Sequence, residues 1–125
     1  TATPEIYTLS LHYALPICSF QGLQHRAATM YSEIELCKSV VRAALAGLDD
    51  PGKSRQDIAE LASIAKAKLS EVFFEVSNEG IQMHGGIGMT DEFDIGFFLK
   101  RARVAQHFLG DASFHRDRYA SLNNF

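Results

Sequence analysis

A chain of 125 residues has the length of one domain and can bury about two thirds of its unfolded surface. A formal charge of −3, a pI near 5.9 and a mean hydropathy of −0.06 fit a soluble globular protein and argue against a nucleic-acid or anionic-membrane surface. No stretch is long and apolar enough to span a bilayer.

Residues 1–16 do not match the pattern of the remaining chain. They lack an initiator methionine, a basic n-region and a small-residue cleavage site, so a secretory signal is not expected. The expectation is an atypical segment over 1–16, non-native or truncated and resembling translated linker sequence, joined to a helical-bundle domain over 17–125. Sequencing the source locus tests this, and one intact continuous gene would remove it.

From Ser19 to Leu48 the apolar positions Leu23, Ala27, Met30, Ile34, Cys37, Val41, Ala44 and Leu48 step by alternating four and three, one stripe of an amphipathic helix. Glu33, Glu35, Lys38 and Arg42 mostly face away. Cys18 and Cys37 form no Cys-x-x-Cys pair; Cys37, on the apolar face, is expected as a buried reduced thiol, and the compartment as cytoplasmic. Asp49-Asp50-Pro51-Gly52 then breaks the helix by turn chemistry.

Ser54-Arg55-Gln56-Asp57 resembles a capping box with Asp57 in place of the usual Glu or Gln. A second stripe comes next, Ile58, Ala62, Ala65, Leu69, Val72 and Val76, running towards Gly80. Helices of about 25 residues would each be nearly 40 Å long at about 1.5 Å per residue. Joined by a short turn, they are expected to pack antiparallel.

The heptapeptide Gln82-Met83-His84-Gly85-Gly86-Ile87-Gly88 closes that second pattern. Its glycines permit positive φ and close approach of another surface. Thr90-Asp91-Glu92 reads as the start of the next helix, and amides beside a helix start favour an anion such as phosphate. Gln82 and His84 add side-chain donors. By local pattern alone, a C-cap and turn is the plainer alternative. The motif is neither a Rossmann fingerprint, which needs a preceding strand, nor a Walker loop, which needs Gly-Lys-Ser/Thr.

Asp91, Glu92 and Asp94 ahead of Lys100, Arg101 and Arg103 suit a helix dipole, and Phe97, Phe98, Ala102, Ala105, Phe108 and Leu109 are expected to form its buried apolar face. Gly110-Asp111 interrupts, and Ala112 to Leu122 makes a last short helix. The five histidines never fall at metal-ligand spacing, with each other or with cysteine, so no metal site is expected. There are no strand-period runs. The expected fold is all-α, an up-down bundle of about four helices.

Three segments carry a resemblance: "SFQGLQHRAA" opening the first helix, "QMHGGIGMTDEF" closing the second, and Ala102-Arg103-Val104 in the third. Their order and spacing, over about residues 16–120, resemble the C-terminal domain of the acyl-CoA dehydrogenase family. Those flavoenzymes oxidise acyl-CoA thioesters to enoyl-CoA. The resemblance implies FAD contacts made across a subunit interface, hence a homo- or hetero-oligomer of such subunits acting on acyl-CoA. Gln21 matches a glutamine that approaches the FAD adenosine portion. Gln82, Met83, His84, Gly85 and Gly86 match the segment that wraps the pyrophosphate and adenosine end in the neighbouring subunit.

The resemblance also has departures. Ser10 stands where the family has an arginine, and Tyr13-Ala14 where it has Phe-Gly. Arg101 replaces an aspartate common in relatives. At the catalytic position the family commonly carries Tyr-Glu-Gly-Thr, the glutamate removing the α-proton; here the residues are Phe108-Leu109-Gly110-Asp111, and leucine cannot take a proton. Three explanations stay open: a base on the preceding helix, a mixed assembly whose partner subunit supplies it, or Asp111 itself, for which helix capping is the better fit. The run "FLGDASFHRDR" looks like subunits of the mixed kind. Two functions are expected as alternatives. One is a FAD-contacting domain that is inactive alone; the other is a helical oligomerisation module that binds no flavin.

Overall fold

The computed structural model describes residues 20–125. The segment 1–16, Ser10, the Tyr13-Ala14 pair and Cys18 lie outside the described residues. Every regular element among the described residues is helical, so the fold is all-α: α1 (Gln21–Asp49), α2 (Arg55–His84), a 3₁₀ turn (Gly85–Met89), α3 (Ile95–His107) and α4 (Ala112–Leu122). The chain falls into two compact units, Thr1–Ser32 and Glu33–Phe125, so α1 begins in the first and ends in the second. No helix among the described residues is long and apolar enough to cross a membrane.

In the second unit α1 turns back at residues 50–54. Gly52 N–H donates to the Asp50 carboxylate at 2.9 Å, an Asx turn. The capping box is formed: Asp57 N–H donates to the Ser54 hydroxyl at 3.1 Å, and Ser54 N–H donates to Asp57 Oδ2 at 2.8 Å. The Ser54 backbone N–H, aided by its hydroxyl, holds the Asp57 carboxyl below its usual range. Within this unit, residues 33–49 of α1 run antiparallel to α2. Gly47 lies so close to α2 that a Cβ there would stand 2.5 Å from Leu61 Cδ1, and Glu33 pairs with Lys68. Glu33 therefore faces α2 rather than open solvent.

The α2 core differs from the predicted stripe. Leu69 and Ala62 are exposed, while Ser63, Ala67, Ser70 and Ser77 are buried, along with the predicted Val72. These small residues also step by four and three, with Phe74 completing the series, so a second helical face exists beside the predicted one. Burial of the serines costs little because each hydroxyl is satisfied four residues back: Ser63 donates to Ala59 O at 2.8 Å, Ser70 to Lys66 O at 2.7 Å and Ser77 to Phe73 O at 2.7 Å.

On this slim helix α3 and α4 lie end to end, both antiparallel to α2. Gly80 meets Ile95, and Lys66 Nζ donates to Ala105 O at 2.8 Å, which orders α3. Arg116 pairs with Glu71 at 2.6 Å and Gln56 Nε2 donates to Leu122 O at 2.6 Å, which orders α4. The predicted α3 face is corrected by the burial pattern. Ala102 is 0% exposed, whereas Phe97, Phe98, Phe108 and Leu109 are exposed. A helix that packs closely on a serine- and alanine-lined partner does so through its own small side, and its phenylalanines are left on the other. Arg103 covers part of the apolar surface by stacking 4.0 Å from the Phe74 ring centroid.

Candidate functional site

Helix α2 ends at His84 because Gly85 takes φ 64° and ψ −146°, a conformation costly for any residue with a Cβ. The Gly85 N–H donates to Gln82 O, closing the helix. The chain then coils into the 3₁₀ turn and folds back. A Cβ on the buried Gly88 would sit 2.7 Å from Ile81 O and 2.8 Å from His84 Cβ. Thr90 fixes the end of the turn, its N–H and hydroxyl both donating to Ile87 O at 3.1 and 2.7 Å. Gly88 is thus the anchor. Gly85 and Gly86 are the opposite case: a Cβ at either meets no atom within 4 Å.

Around that open face, Gln82 is exposed, Met83 half-buried and His84 exposed. His84 Nδ1–H donates to Gly80 O at 2.7 Å, which assigns the ring proton to Nδ1 in the neutral form and leaves Nε2 an outward acceptor. The ring also tilts against Phe93, centroids 5.7 Å apart. Gln21, the first residue of α1, is exposed and belongs to the other compact unit. The five residues 82–86 are therefore contiguous on one rim, and Gln21 is exposed within its own unit.

One expectation about this rim is overturned. The next helix does not begin at Thr90-Asp91-Glu92 but at Ile95, and its N-cap Asp94 makes no side-chain capping bond. Residues 90–94 form turns and bends instead. Local charge pattern mimicked a helix start, but the fold-back at Gly88 uses those residues to reverse the chain. The glycines consequently come after a helix C-terminus, whose partial charge is negative. Favourable helix-dipole attraction for an anion is absent there, and close approach remains the property that the glycines supply.

The 108–111 turn is the second place of interest. Leu109 holds φ 61°, unusual for a residue other than glycine, and the residue is 74% exposed. Gly110 has φ 98°, and a Cβ on it would stand 2.4 Å from the Phe114 ring. Asp111 is the N-cap of α4, its Oδ1 accepting from Phe114 N–H at 2.9 Å. Lys66 sits behind the turn, its amine held below the usual lysine range by burial, against the pull of the Asp111 charge. Sequence reasoning had no signal for the Leu109 conformation, because leucine is not a residue that announces positive φ. Leu109→Gly is expected to stabilise the chain by about 1 kcal/mol, removing left-handed strain that costs roughly 1–2 kcal/mol and losing little burial. Thermal unfolding checks it; no rise in Tm would contradict the strain.

Elsewhere in the second unit, a groove of about 260 Å³ runs between α2 and α4, lined by Ser63, Lys68, Glu71, His115 and Tyr119 among others. It lies farther towards the α2 N-terminus than the glycine rim. Cys37 is buried and free, its thiol pushed up by burial. No group of three or more His, Cys, Asp or Glu among the described residues could hold a metal ion.

Comparison with known proteins bears on the family of the chain. Residues 13–121 match the family model described as acyl-CoA dehydrogenase, C-terminal domain. The chain is 34% identical over 100 residues to acyl-CoA dehydrogenase IpdE2 of Mycolicibacterium smegmatis, covering 80% of this chain and 29% of that protein. With IpdE2 of Mycobacterium tuberculosis it shares 35% identity over 107 residues, 86% of this chain and 31% of the relative. The short-chain-specific acyl-CoA dehydrogenase of Megasphaera elsdenii is 27% identical over 100 residues, 80% of this chain and 25% of the relative. The chain thus spans less than a third of the length of these curated relatives. No solved structure matches significantly. With an all-α fold, a glycine rim after the second helix and a family match over most of its length, the chain belongs to the acyl-CoA dehydrogenase family, through that family's C-terminal domain.

Proposed function

We propose that the chain is the FAD-contacting and oligomer-forming domain of an acyl-CoA dehydrogenase-like flavoprotein, and that it is inactive without the other parts of that protein. The observation that carries this is the division of labour among the glycines. Gly88 is pressed against its own helix, whereas Gly85 and Gly86 are bare on their outer side. Gly85 is required by the backbone of the turn itself, but Gly86 is not, and its open side lies beside an exposed glutamine and histidine. Such a rim suits a flat or extended dinucleotide arriving from outside, and the residues fit FAD in that sense. Gln82, Met83, His84, Gly85 and Gly86 would hold it, with Gln21 as a further contact. The domain division, 1–16 apart from 17–125, belongs to the same proposal.

Bound flavin supplies the acceptor for the hydride that leaves the acyl β-carbon. The chain's own contribution is binding and orientation. Leu109 cannot remove a proton and Asp111 is engaged as a helix cap, so an active assembly takes its base from another helix or another subunit. A mixed assembly acting on acyl-CoA is one of these arrangements. The exposed Phe97, Phe98, Val104 and Phe108 support an oligomer, whether or not flavin is bound. The buried, free Cys37 suits a reducing, cytoplasmic-type compartment.

A helical oligomerisation module without flavin is the second reading, favoured by the same exposed phenylalanines. Co-expression with the missing domains, or with a full-length partner subunit, separates the two. A yellow complex with flavin absorbance is expected, and colourless assemblies with every such partner would favour the module. Within a yellow complex, Gly86→Val is expected to lower flavin occupancy while far-UV circular dichroism stays unchanged. Full occupancy would remove Gly86 from the flavin contact.

A further inference from the structure

The glycine rim is not the only tightly constrained turn. Residues 108–111 are held from several sides at once, and one of the restraints comes from a residue that the flavin proposal does not use. His115, 6% exposed, directs Nε2 to Leu109 O at 3.0 Å. A carbonyl can only accept, so the ring proton sits on Nε2, and Nδ1 is left buried without a hydrogen-bond partner. A buried ring nitrogen with no partner is unfavourable, and phenylalanine at this place would avoid it. The imidazole is accounted for by the one bond it makes.

What that bond accomplishes is set by the backbone. Leu109 is the residue with φ 61°, and its carbonyl is the group His115 holds. Gly110 N–H reaches back to His107 O at 3.4 Å, too long to define the turn alone. Asp111 caps α4 on one side and Lys66 caps α3 on the other, through Ala105 O. Leu109 lies between these fixed helix ends, and a non-glycine residue at positive φ is strained. The hydrogen bond from His115 falls on the carbonyl of that strained residue, which is exposed. Strain maintained by a buried polar group at an exposed tip is the pattern of a presented functional residue.

We infer that His115 is a positioning residue: its Nε2–H locks the left-handed turn and so presents side chain 109 to a ligand outside the bundle. That the ligand is an acyl thioester rests on the function proposed above; the locking of the turn does not.

The test uses the whole 125-residue chain first. The intraresidue amide-to-α-proton NOE of Leu109 is strong at positive φ, and amide exchange of Gly110 reports opening of the turn. In His115→Phe the NOE is expected to weaken and Gly110 exchange to quicken by at least ~10-fold through local opening, with helix content retained. His115→Gln, which can place an N–H at nearly the same reach, is expected to keep both. An unchanged NOE and exchange rate in His115→Phe would overturn the inference. Should that variant not fold, His115→Gln decides alone: retention supports the inference and loss of the NOE overturns it.

A second arm separates this inference from the flavin proposal. In a yellow assembly carrying Leu109→Glu, His115→Phe is expected to cut α-deuterium loss from butyryl-CoA by ~10-fold with KM little changed, and His115→Gln to preserve it. An assembly that takes up no flavin defeats the proposed function while the NOE result still judges His115.

Discussion

Exchanging Leu109 for glutamate is expected to speed α-proton removal from a bound acyl-CoA by ~10²–10⁴-fold in the flavin-loaded assembly, at sites lined by this chain. Under the function proposed above, the turn is already fixed for such a role. Residue 109 sits at φ 61° and is 74% exposed, its carbonyl is tied to His115, and the following glycine cannot carry a side chain without striking Phe114. What is missing is a group that accepts a proton. A carboxylate in that exposed position would be ionised near neutral pH and need no rearrangement of the backbone. Wash-out of deuterium from the α-carbon of butyryl-CoA measures the gain, with Leu109→Gln as the control of equal size and no basicity. No gain at full flavin occupancy would mean that side chain 109 does not stand beside the α-carbon.

The second large effect concerns Gly88. Substitution by valine is expected to destabilise the chain by ~1–3 kcal/mol, the usual scale for forcing carbon into a filled site. Even its Cβ would lie 2.7 Å from the Ile81 carbonyl oxygen, a backbone atom in the last turns of α2 that cannot step aside alone. The 3₁₀ turn would lift off the helix, and Ile95, which packs against Gly80, would lose its approach. Gly86→Val, two residues earlier, meets open space and is expected to change stability by no more than about 0.5 kcal/mol. Denaturant unfolding of the two variants side by side gives the answer. Equal losses would show that the two glycines are not divided between anchoring and access.

Much of the local structure was legible because it rests on neighbours in the chain. The Asx turn at Asp50, the reciprocal Ser54–Asp57 cap and the Asp111 cap are each made by residues within three positions of one another. Burial was less legible. Helix α2 offers two stripes at the same spacing, and hydropathy favours the one with Ile58 and Leu69 over the one with Ser63, Ser70 and Ser77. Hydrophobic scales penalise a serine as though its hydroxyl were unsatisfied, whereas in a helix it bonds its own backbone. The phenylalanines of α3 were misplaced for the companion reason: closeness of approach, not hydrophobicity, selected the Ala102 side. At the glycine rim the turn itself stands where the motif put it, but the helix start that was to aid it is displaced to Ile95.

Composition and pattern by themselves determined that the described chain is helical, where the Ser54–Asp57 and Asp111 caps and the Asp50 turn fall, and which family its motifs resemble, since all of these depend on short-range spacing. Only the tertiary structure decided which helix face is buried, which glycines are open, and that an exposed Leu109 at positive φ has its carbonyl held by a histidine six residues away. Those outcomes depend on how near two backbones come and which carbonyl a side chain can reach. Such distances are properties of packed helices, and no periodicity along the chain encodes them.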